Sequence, residues 1–205
     1  MPAIALALYV VFGVLTFGVR IALQVRRTGS TGFHGISGRP GSAEWFAGLG
    51  FALAVAVGAA APVLALLDVV EPIETLDTTP VHVAGIVLAV AGILATFAAQ
   101  LSMGASWRIG VDAAERTELV TGGPFELVRN PIYAGMLPTA LGLTLLVPSW
   151  VSLLGLAGLT LALELQVRLV EEPYLLSVHG HAYADYATRV GRFFPGVGRS
   201  ISRSA

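Results

Sequence analysis

From Ala3 to Val25 the chain carries polar side chains only at Thr16, Arg20 and Gln24, and stretches of this kind recur along its length. A bilayer core about 30 Å thick is crossed by roughly 20 apolar helical residues, because lipid offers backbone N–H and C=O groups no partners but one another. Ala43 to Leu67 forms the second such stretch, with Pro62 as an expected kink. Val81 to Met103 forms the third, where Gly85 and Gly92 leave room for a neighbouring helix to approach closely. Pro131 to Leu163 is too long for one crossing and is interrupted by Val147-Pro148-Ser149-Trp150. It reads as a tight hairpin whose second helix continues through Arg168. The expected fold is therefore all-α, an integral membrane bundle of five transmembrane helices. Composition agrees: only 12% of residues are charged and 55% are hydrophobic, whereas a soluble domain averages about 25% charged. Low hydrophobicity and high net charge, the marks of disorder, are both absent.

Charge placement orients the bundle. All twelve basic residues are arginine. Arg20, Arg26, Arg27 and Arg39 flank the first loop; Arg108, Arg116 and Arg129 follow the third span; Arg168, Arg189, Arg192, Arg199 and Arg203 end the chain. The loop after the second span carries Asp68, Glu71, Glu74 and Asp77 but no arginine, and the Pro148 turn carries no charge. Positive-inside bias then places the N-terminus outside and the C-terminus in the cytoplasm, which an odd number of spans satisfies. No basic residue precedes Arg20, so the first stretch lacks the charged start of a cleavable signal peptide. The first loop, Arg26 to Ser42, is glycine-rich and reads as a flexible cytosolic connector. Leu175, Val178, Tyr186 and Val190 stand near helical spacing, so the tail from Glu171 reads as one interfacial amphipathic helix ending at Phe193-Phe194-Pro195. A net charge of −1 gives no basic field for nucleic acid, and no such partner is expected. The absence of cysteine removes disulfides, thiolate metal sites and cysteine nucleophiles together.

Three motifs stand out of this apolar background. Span five ends in Glu164-Leu165-Gln166-Val167-Arg168-Leu169-Val170-Glu171-Glu172. At helical spacing Glu164, Arg168 and Glu171 or Glu172 share roughly one face, and ionisable groups at membrane depth usually face the bundle interior. The plainer alternative is a charge cluster snorkelling to the interface. Val128-Arg129-Asn130-Pro131-x-Tyr133-x-Gly135 opens span four. Pro131 suits a first helical turn and Asn130 its N-cap, which leaves Arg129 and Tyr133 without a structural reason. Free N–H groups at that helix start also favour a bound carboxylate. His179-Gly180-His181 lies near Glu171 and Glu172, a set with metal-binding chemistry. The chain has only four histidines, with His34 and His82 placed elsewhere, and no metal is expected. A Gly-x-Ser-x-Gly elbow, a Walker loop and a Rossmann fingerprint are all missing.

Taken in order, Leu119-Val120-Thr121-Gly122-Gly123-Pro124-Phe125, the Arg129-Asn130-Pro131-x-Tyr133-x-Gly135 block, Arg168-x-x-Glu171-Glu172-x-x-Leu175, Gly180, Tyr183, Tyr186 and Arg192-x-x-Pro195 form a pattern. It resembles the C-terminal half of the isoprenylcysteine carboxyl methyltransferase family, which is related to membrane phospholipid methyltransferases. The resemblance covers Gln100 to Pro195. No internal repeat of convincing period appears, so the chain reads as a single membrane domain over 1–205, with N-terminal spans in 1–99, the half that the resemblance implies to be methyltransferase-like and catalytic in 100–195, and a tail in 196–205. The resemblance also implies S-adenosylmethionine bound on the cytosolic side and a lipophilic acceptor, an isoprenylcysteine-like carboxylate foremost, entering from the bilayer. The family's Arg-His-Pro is here Arg129-Asn130-Pro131, and asparagine does not titrate. Its Gly-Pro-Tyr is here Gly123-Pro124-Phe125, one hydroxyl fewer.

Such a donor carries an ammonium, a carboxylate, a sulfonium and a flat purine. Glu171 or Glu172 suits the ammonium, and Arg129 or the N–H groups opening span four suit the carboxylate. Gln100, Asn130, Pro131 and Tyr133 complete the expected cofactor site, with Met103 and Trp107 as apolar walls. An arginine near the acidic pair is implied to serve the acceptor, so Arg168, Glu172 and Arg129 are the expected catalytic residues. Direct displacement depends on aligning nucleophile, methyl and sulfur, and requires no metal. Two other functions compete. One is an NADPH-dependent membrane isoprenoid or sterol reductase, with Arg108, Arg116 and Arg129 converging on a phosphate. The other is a non-catalytic transporter or scaffold, for which spans one to three offer few polar residues. The expected location is the cell membrane, as a multi-pass protein among membrane lipids with its active site facing the cytoplasm.

Overall fold

The computed structural model describes residues 1–32, 35–36, 38–107 and 118–199. Among these residues the chain is helical. α1 spans Pro2–Thr28, α2 Ala43–Leu66, α3 Thr79–Ser102, α4 Pro124–Leu127, α5 Pro131–Leu146, α6 Trp150–His179 and α7 His181–Arg189. Ser42 and Ser149 start α2 and α6 by accepting hydrogen bonds from Trp45 N and Ser152 N, the usual work of an N-cap hydroxyl. Gly29 ends α1 at φ +76, a left-handed conformation that suits a residue without Cβ. α2 continues through Pro62 to Leu66. α1, α2, α3 and α6 are long and apolar enough to cross a membrane. α5 is shorter, 16 residues, or about 24 Å at 1.5 Å per residue.

The helices are apolar outside and small inside. Val10, Leu53, Val87, Leu94, Leu154 and Leu161 are exposed, while Ala54, Ala61, Ala89, Gly92, Gly135 and Gly142 are buried. That inversion fits a lipid solvent, where helices associate through close packing of small residues. The partner expected for Gly85 and Gly92 is α5. A Cβ on Gly142 would lie 2.4 Å from Ala89 N and 2.5 Å from Gly85 O, and one on Gly92 would lie 2.7 Å from Gly135 O. α2 and α6 meet in the same way, with Gly155 against the backbone of Gly58. α1 lies across these two pairs, and Phe12 packs in one cluster with Ala54, Ile93, Met136, Leu159 and Leu163.

The connections sort to two ends. Ile73 N donates to Pro148 O at 2.6 Å, so the arginine-free loop and the hairpin turn meet at one end. The first loop, the segment after α3, α4, α7 and the tail gather at the other, together with every described arginine. The tail departs from the single amphipathic helix expected of it. α6 runs on to His179, the chain turns at Gly180 (φ +52), and α7 starts anew. Leu175, Tyr183, Tyr186 and Val190 then close on Leu119 as a buried cluster, so the apolar face of the tail covers protein.

Two segments leave the α-helical ladder. Val14–Val19 in α1 and Gln166–Glu171 in α6 are π-helical, each opening one turn to i→i+5 spacing. Such single turns are rare and occur frequently at functional sites. Both lie beside the same cavity.

Candidate active site

A cavity of about 520 Å³ opens between α1, α2, α3, α5, α6 and α7 at the arginine-bearing end. Phe12, Phe51, Val55 and Met136 give it an apolar floor. Thr16 and Phe17 from the first π segment and Gln166 and Glu171 from the second lie in its wall. Gly35 and Ile36 also line it, so the first loop packs against the site. A smaller cavity of about 50 Å³ continues towards the other end and shares Phe12, Val55 and Met136 with the larger one.

Gln100, Asn130, Pro131, Tyr133 and Glu171 all meet in this wall. The Tyr133 hydroxyl donates a short hydrogen bond to Glu171 Oε1, joining the start of α5 to the π segment of α6. Gln100 is 5% exposed, and its Oε1 has no hydrogen-bond partner; Thr96 Oγ1 in the same wall is likewise unpartnered. A buried acceptor without a donor is costly enough to point to a ligand group or water there. Asn130 sits at the N-cap position of α5, yet its side chain does not cap. Nδ2 instead donates to Arg192 O at 3.2 Å, because the tail from Gly191 pairs back along Val128–Asn130. The first N–H groups of α5 are thus left without a side-chain cap at the cavity.

Arg129 borders the cavity, but both terminal nitrogens of its guanidinium are committed, and only the buried Nε has no partner. Nη1 donates to Ala187 O and Val190 O, and Nη2 donates to Gly198 O and Glu172 Oε1. Glu172 also takes a bidentate pair from Arg192, at 2.8 Å to each carboxylate oxygen. Its charge is therefore answered twice by protein, and it stands behind the cavity wall. The three side chains fasten α6, the start of α5 and the tail together. That hydrogen bond to Glu172 holds the Arg192 guanidinium above its usual range. Burial, with the Glu172 charge adding to it, pushes the Tyr183 phenol up to about 12, and burial does the same for Tyr186. Tyr186 donates to Phe125 O at 2.6 Å, tying α7 to α4.

Arg168 does not face the cavity. Its Nε donates to Glu164 Oε2 at 2.5 Å, and its side chain is 56% exposed. The reason is the π segment: one residue beyond the α count turns the helix by about 100°. Glu164 and Arg168 thereby fall on a different face from Glu171. Sequence periodicity assumed an unbroken α-helix, and the π turn defeats that assumption.

The sequence reading missed one polar cluster. Arg20, fully buried, donates to Gln100 O, Gln24 Oε1 and Gly104 O and lies 4.5 Å from the Trp107 ring centroid. Thr16, Arg20 and Gln24 recur every fourth residue on one face of an apolar span, and that pattern was the available signal. Among the described residues no group of three or more histidines and acids is placed to hold a metal. Arg108, Arg116 and His34 lie outside the described residues.

Comparison with known proteins supplies two likenesses. Residues 80–182, half of the chain, match the phospholipid methyltransferase family. Over 85 residues the chain is 33% identical to the nickel-cobalt-cadmium resistance protein NccN of Alcaligenes xylosoxydans xylosoxydans. That stretch is 42% of this chain and 39% of the length of the resistance protein.

Proposed function

The chain belongs to the phospholipid methyltransferase family, and on that premise we propose that the large cavity binds S-adenosylmethionine and carries its methyl group to a lipophilic acceptor. The bound donor supplies an electrophilic methyl on a sulfonium, which the acceptor displaces directly. The observation that supports this reading is the meeting of Gln100, Tyr133 and Glu171 with an uncapped helix start in one apolar cavity inside a membrane bundle.

Each group has a matching task. Glu171, oriented by Tyr133, holds the donor's ammonium. The N–H groups opening α5 hold its carboxylate, as helix N-termini do for anions. Gln100 Oε1 accepts from an amino or hydroxyl group of the nucleoside, with Trp107 and Met103 beside it. The apolar floor and the smaller cavity beyond it receive the acceptor's hydrocarbon chain. Fixed positioning of the two reactants supplies most of the rate.

The acceptor's head group has two readings. The resemblance to isoprenylcysteine carboxyl methyltransferases implies a carboxylate, which is nucleophilic as it stands. The outward placement of Arg168 and the full commitment of Arg129's terminal nitrogens favour an amine instead. In that case the amine gives its proton to water at the cavity mouth before the nitrogen attacks, since the Glu171 carboxylate is engaged by the donor's ammonium. We further propose five crossings with the N-terminus outside, which sets the cavity at the cytoplasmic face of the cell membrane. Membranes holding the protein, given methyl-labelled S-adenosylmethionine, test the reading. Label should enter the lipid extract; release by base identifies an ester, and base-stable label an N-methyl product. No protein-dependent label in lipid sinks the proposal.

A further inference from the structure

Arg20 is at 0% exposure at the start of the last third of α1, about two turns before the helix end, and among the described residues it has no acidic ion-pair partner. A guanidinium is costly at membrane depth, and such groups are retained where they serve a function. Its hydrogen bonds converge on one short stretch of chain. Nε donates to Gln100 O at 3.2 Å, Nη2 donates to Gly104 O at 2.5 Å, and Nη1 donates to Gln24 Oε1 at 3.0 Å. Gln24 in turn donates to Ala105 O at 2.8 Å. The guanidinium also lies over the Trp107 ring, a cation–π contact. Everything from Gln100 to Trp107 is thereby tied to α1, which lies wholly outside the residues matched to the family.

The π segment of α1 completes the arrangement. Arg20 N–H bonds to Leu15 O and Phe17 O and passes over Thr16 O. Thr16 O accepts the Gln100 side chain instead, from Nε2 at 3.1 Å. With its NH₂ group so engaged, the Gln100 carboxamide keeps Oε1 as the unpartnered acceptor in the cavity wall. A regular α-helical turn would leave Thr16 O to the Arg20 N–H, with less to offer Gln100.

We propose that Arg20 and the π segment of α1 form a clamp that positions Gln100 and Trp107 for the methyl donor, so that Gln100 Oε1 receives a hydrogen bond from the donor's amino or hydroxyl group. Arg20 is a positioning residue: it lies behind the wall and acts through the two residues that line it. The inference rests on the methyl-donor reading of the cavity. It adds that the N-terminal helix is part of the donor site.

The test is calorimetric binding of S-adenosylhomocysteine in detergent to the wild type, Arg20→Lys, Arg20→Met and Gln100→Met, with melting temperatures measured on the same samples. Arg20→Met and Gln100→Met should each weaken the Kd about tenfold, the loss of one well-placed hydrogen bond to the ligand. Arg20→Lys should lie between, because an ammonium keeps the charge near Trp107 but lacks the fork that reaches three acceptors. Tryptophan emission in a Trp45→Phe, Trp150→Phe background reports Trp107 alone. Its response to S-adenosylhomocysteine should shrink in the same order. Arg20→Lys carries the test if Arg20→Met does not fold. Arg20 variants that melt lower yet bind with the wild-type Kd overturn the clamp and leave Arg20 as a fastening between helices. A folded wild type that binds no S-adenosylhomocysteine overturns the donor reading itself, and the clamp falls with it.

Discussion

Replacing Glu172 by glutamine separates a strut from a ligand residue. In the structure the Glu172 carboxylate is shared by Arg129, whose side chain is 1% exposed, and Arg192, whose side chain is 15% exposed. Glutamine keeps one oxygen that Arg129 Nη2 and Arg192 Nε can still reach, but turns an NH₂ group towards Arg192 Nη2. Two donors then face each other, and two guanidinium groups lose the carboxylate charge they share in a largely buried place. Breaking a buried pair costs about 3–5 kcal/mol, and the retained oxygen places the expected loss near the lower figure. For a domain of this size the melting temperature should fall by roughly 6–12 °C at about 3 kcal/mol. Thermal unfolding in detergent, with and without S-adenosylhomocysteine, is the assay. The variant should melt lower but still gain stability from the ligand, since a ligand selective for the folded state stabilises it by mass action. Arg192→Met alone should also destabilise, and combining it with Glu172→Gln should cost much less than the sum, as expected for one coupled site. A Glu172→Gln protein that melts like the wild type and no longer responds to the ligand would refute the reasoning and make Glu172 a ligand-binding residue.

Glu171→Gln and Tyr133→Phe should do the reverse, with melting temperatures near the wild type and at least a tenfold weaker response to S-adenosylhomocysteine in titrations. Gly142→Ala should destabilise by about 1–3 kcal/mol by overpacking, because the new Cβ meets backbone atoms of Ala89 and Gly85 that cannot swing aside; thermal melts in detergent measure it, and Gly13→Ala, helical and with open space around it, is the control. The phenols of Tyr183 and Tyr186 are held at about 12 against an ordinary 10, so folding protects their protonated forms. Their contribution is complete below pH 10 and should be lost as pH rises from about 10 to 12, visible as a falling melting temperature that Tyr183→Phe makes shallower. Tagging should find Gly41 and Gly198 accessible from the cytoplasm and Thr75 from outside, and Thr75 on the same side as Gly198 would remove the five-crossing arrangement.

The helices were legible because lipid imposes a length and a composition on whatever crosses it. Pro148 marked the hairpin turn, and Gly85 and Gly92 announced a close neighbour, which proved to be Gly135, Thr139 and Gly142 of α5. The meeting of Tyr133 with Glu171 followed from two motifs far apart in the chain. Asn130 shows where local reasoning stopped. Its position and chemistry suit an N-cap, but the Arg192 carbonyl, brought there by a tail some sixty residues later, offers Nδ2 a partner that no local rule could anticipate. The same tail supplies Arg129 and Glu172 with partners, Val190, Gly198 and Arg192, that their own motifs do not reveal.

The remaining misreading has a single geometric source, and it links the two sides of the cavity. A periodicity argument is valid only while each residue advances the helix by the same angle, and both helices that close the site break that rule where they border it. In α6 the π turn removes Arg168 from the face of Glu171 and gives it to Glu164 at the surface. In α1 the π turn lets Thr16 O leave its own helix and hold Gln100. A π turn costs hydrogen-bond geometry that an apolar helix in lipid has no reason to give up, since nothing in the bilayer replaces the missing partner. Its persistence on both walls of one cavity is therefore an argument about function. Each turn re-aims one polar group, Glu171 on one side and Gln100 on the other, towards the same enclosed volume.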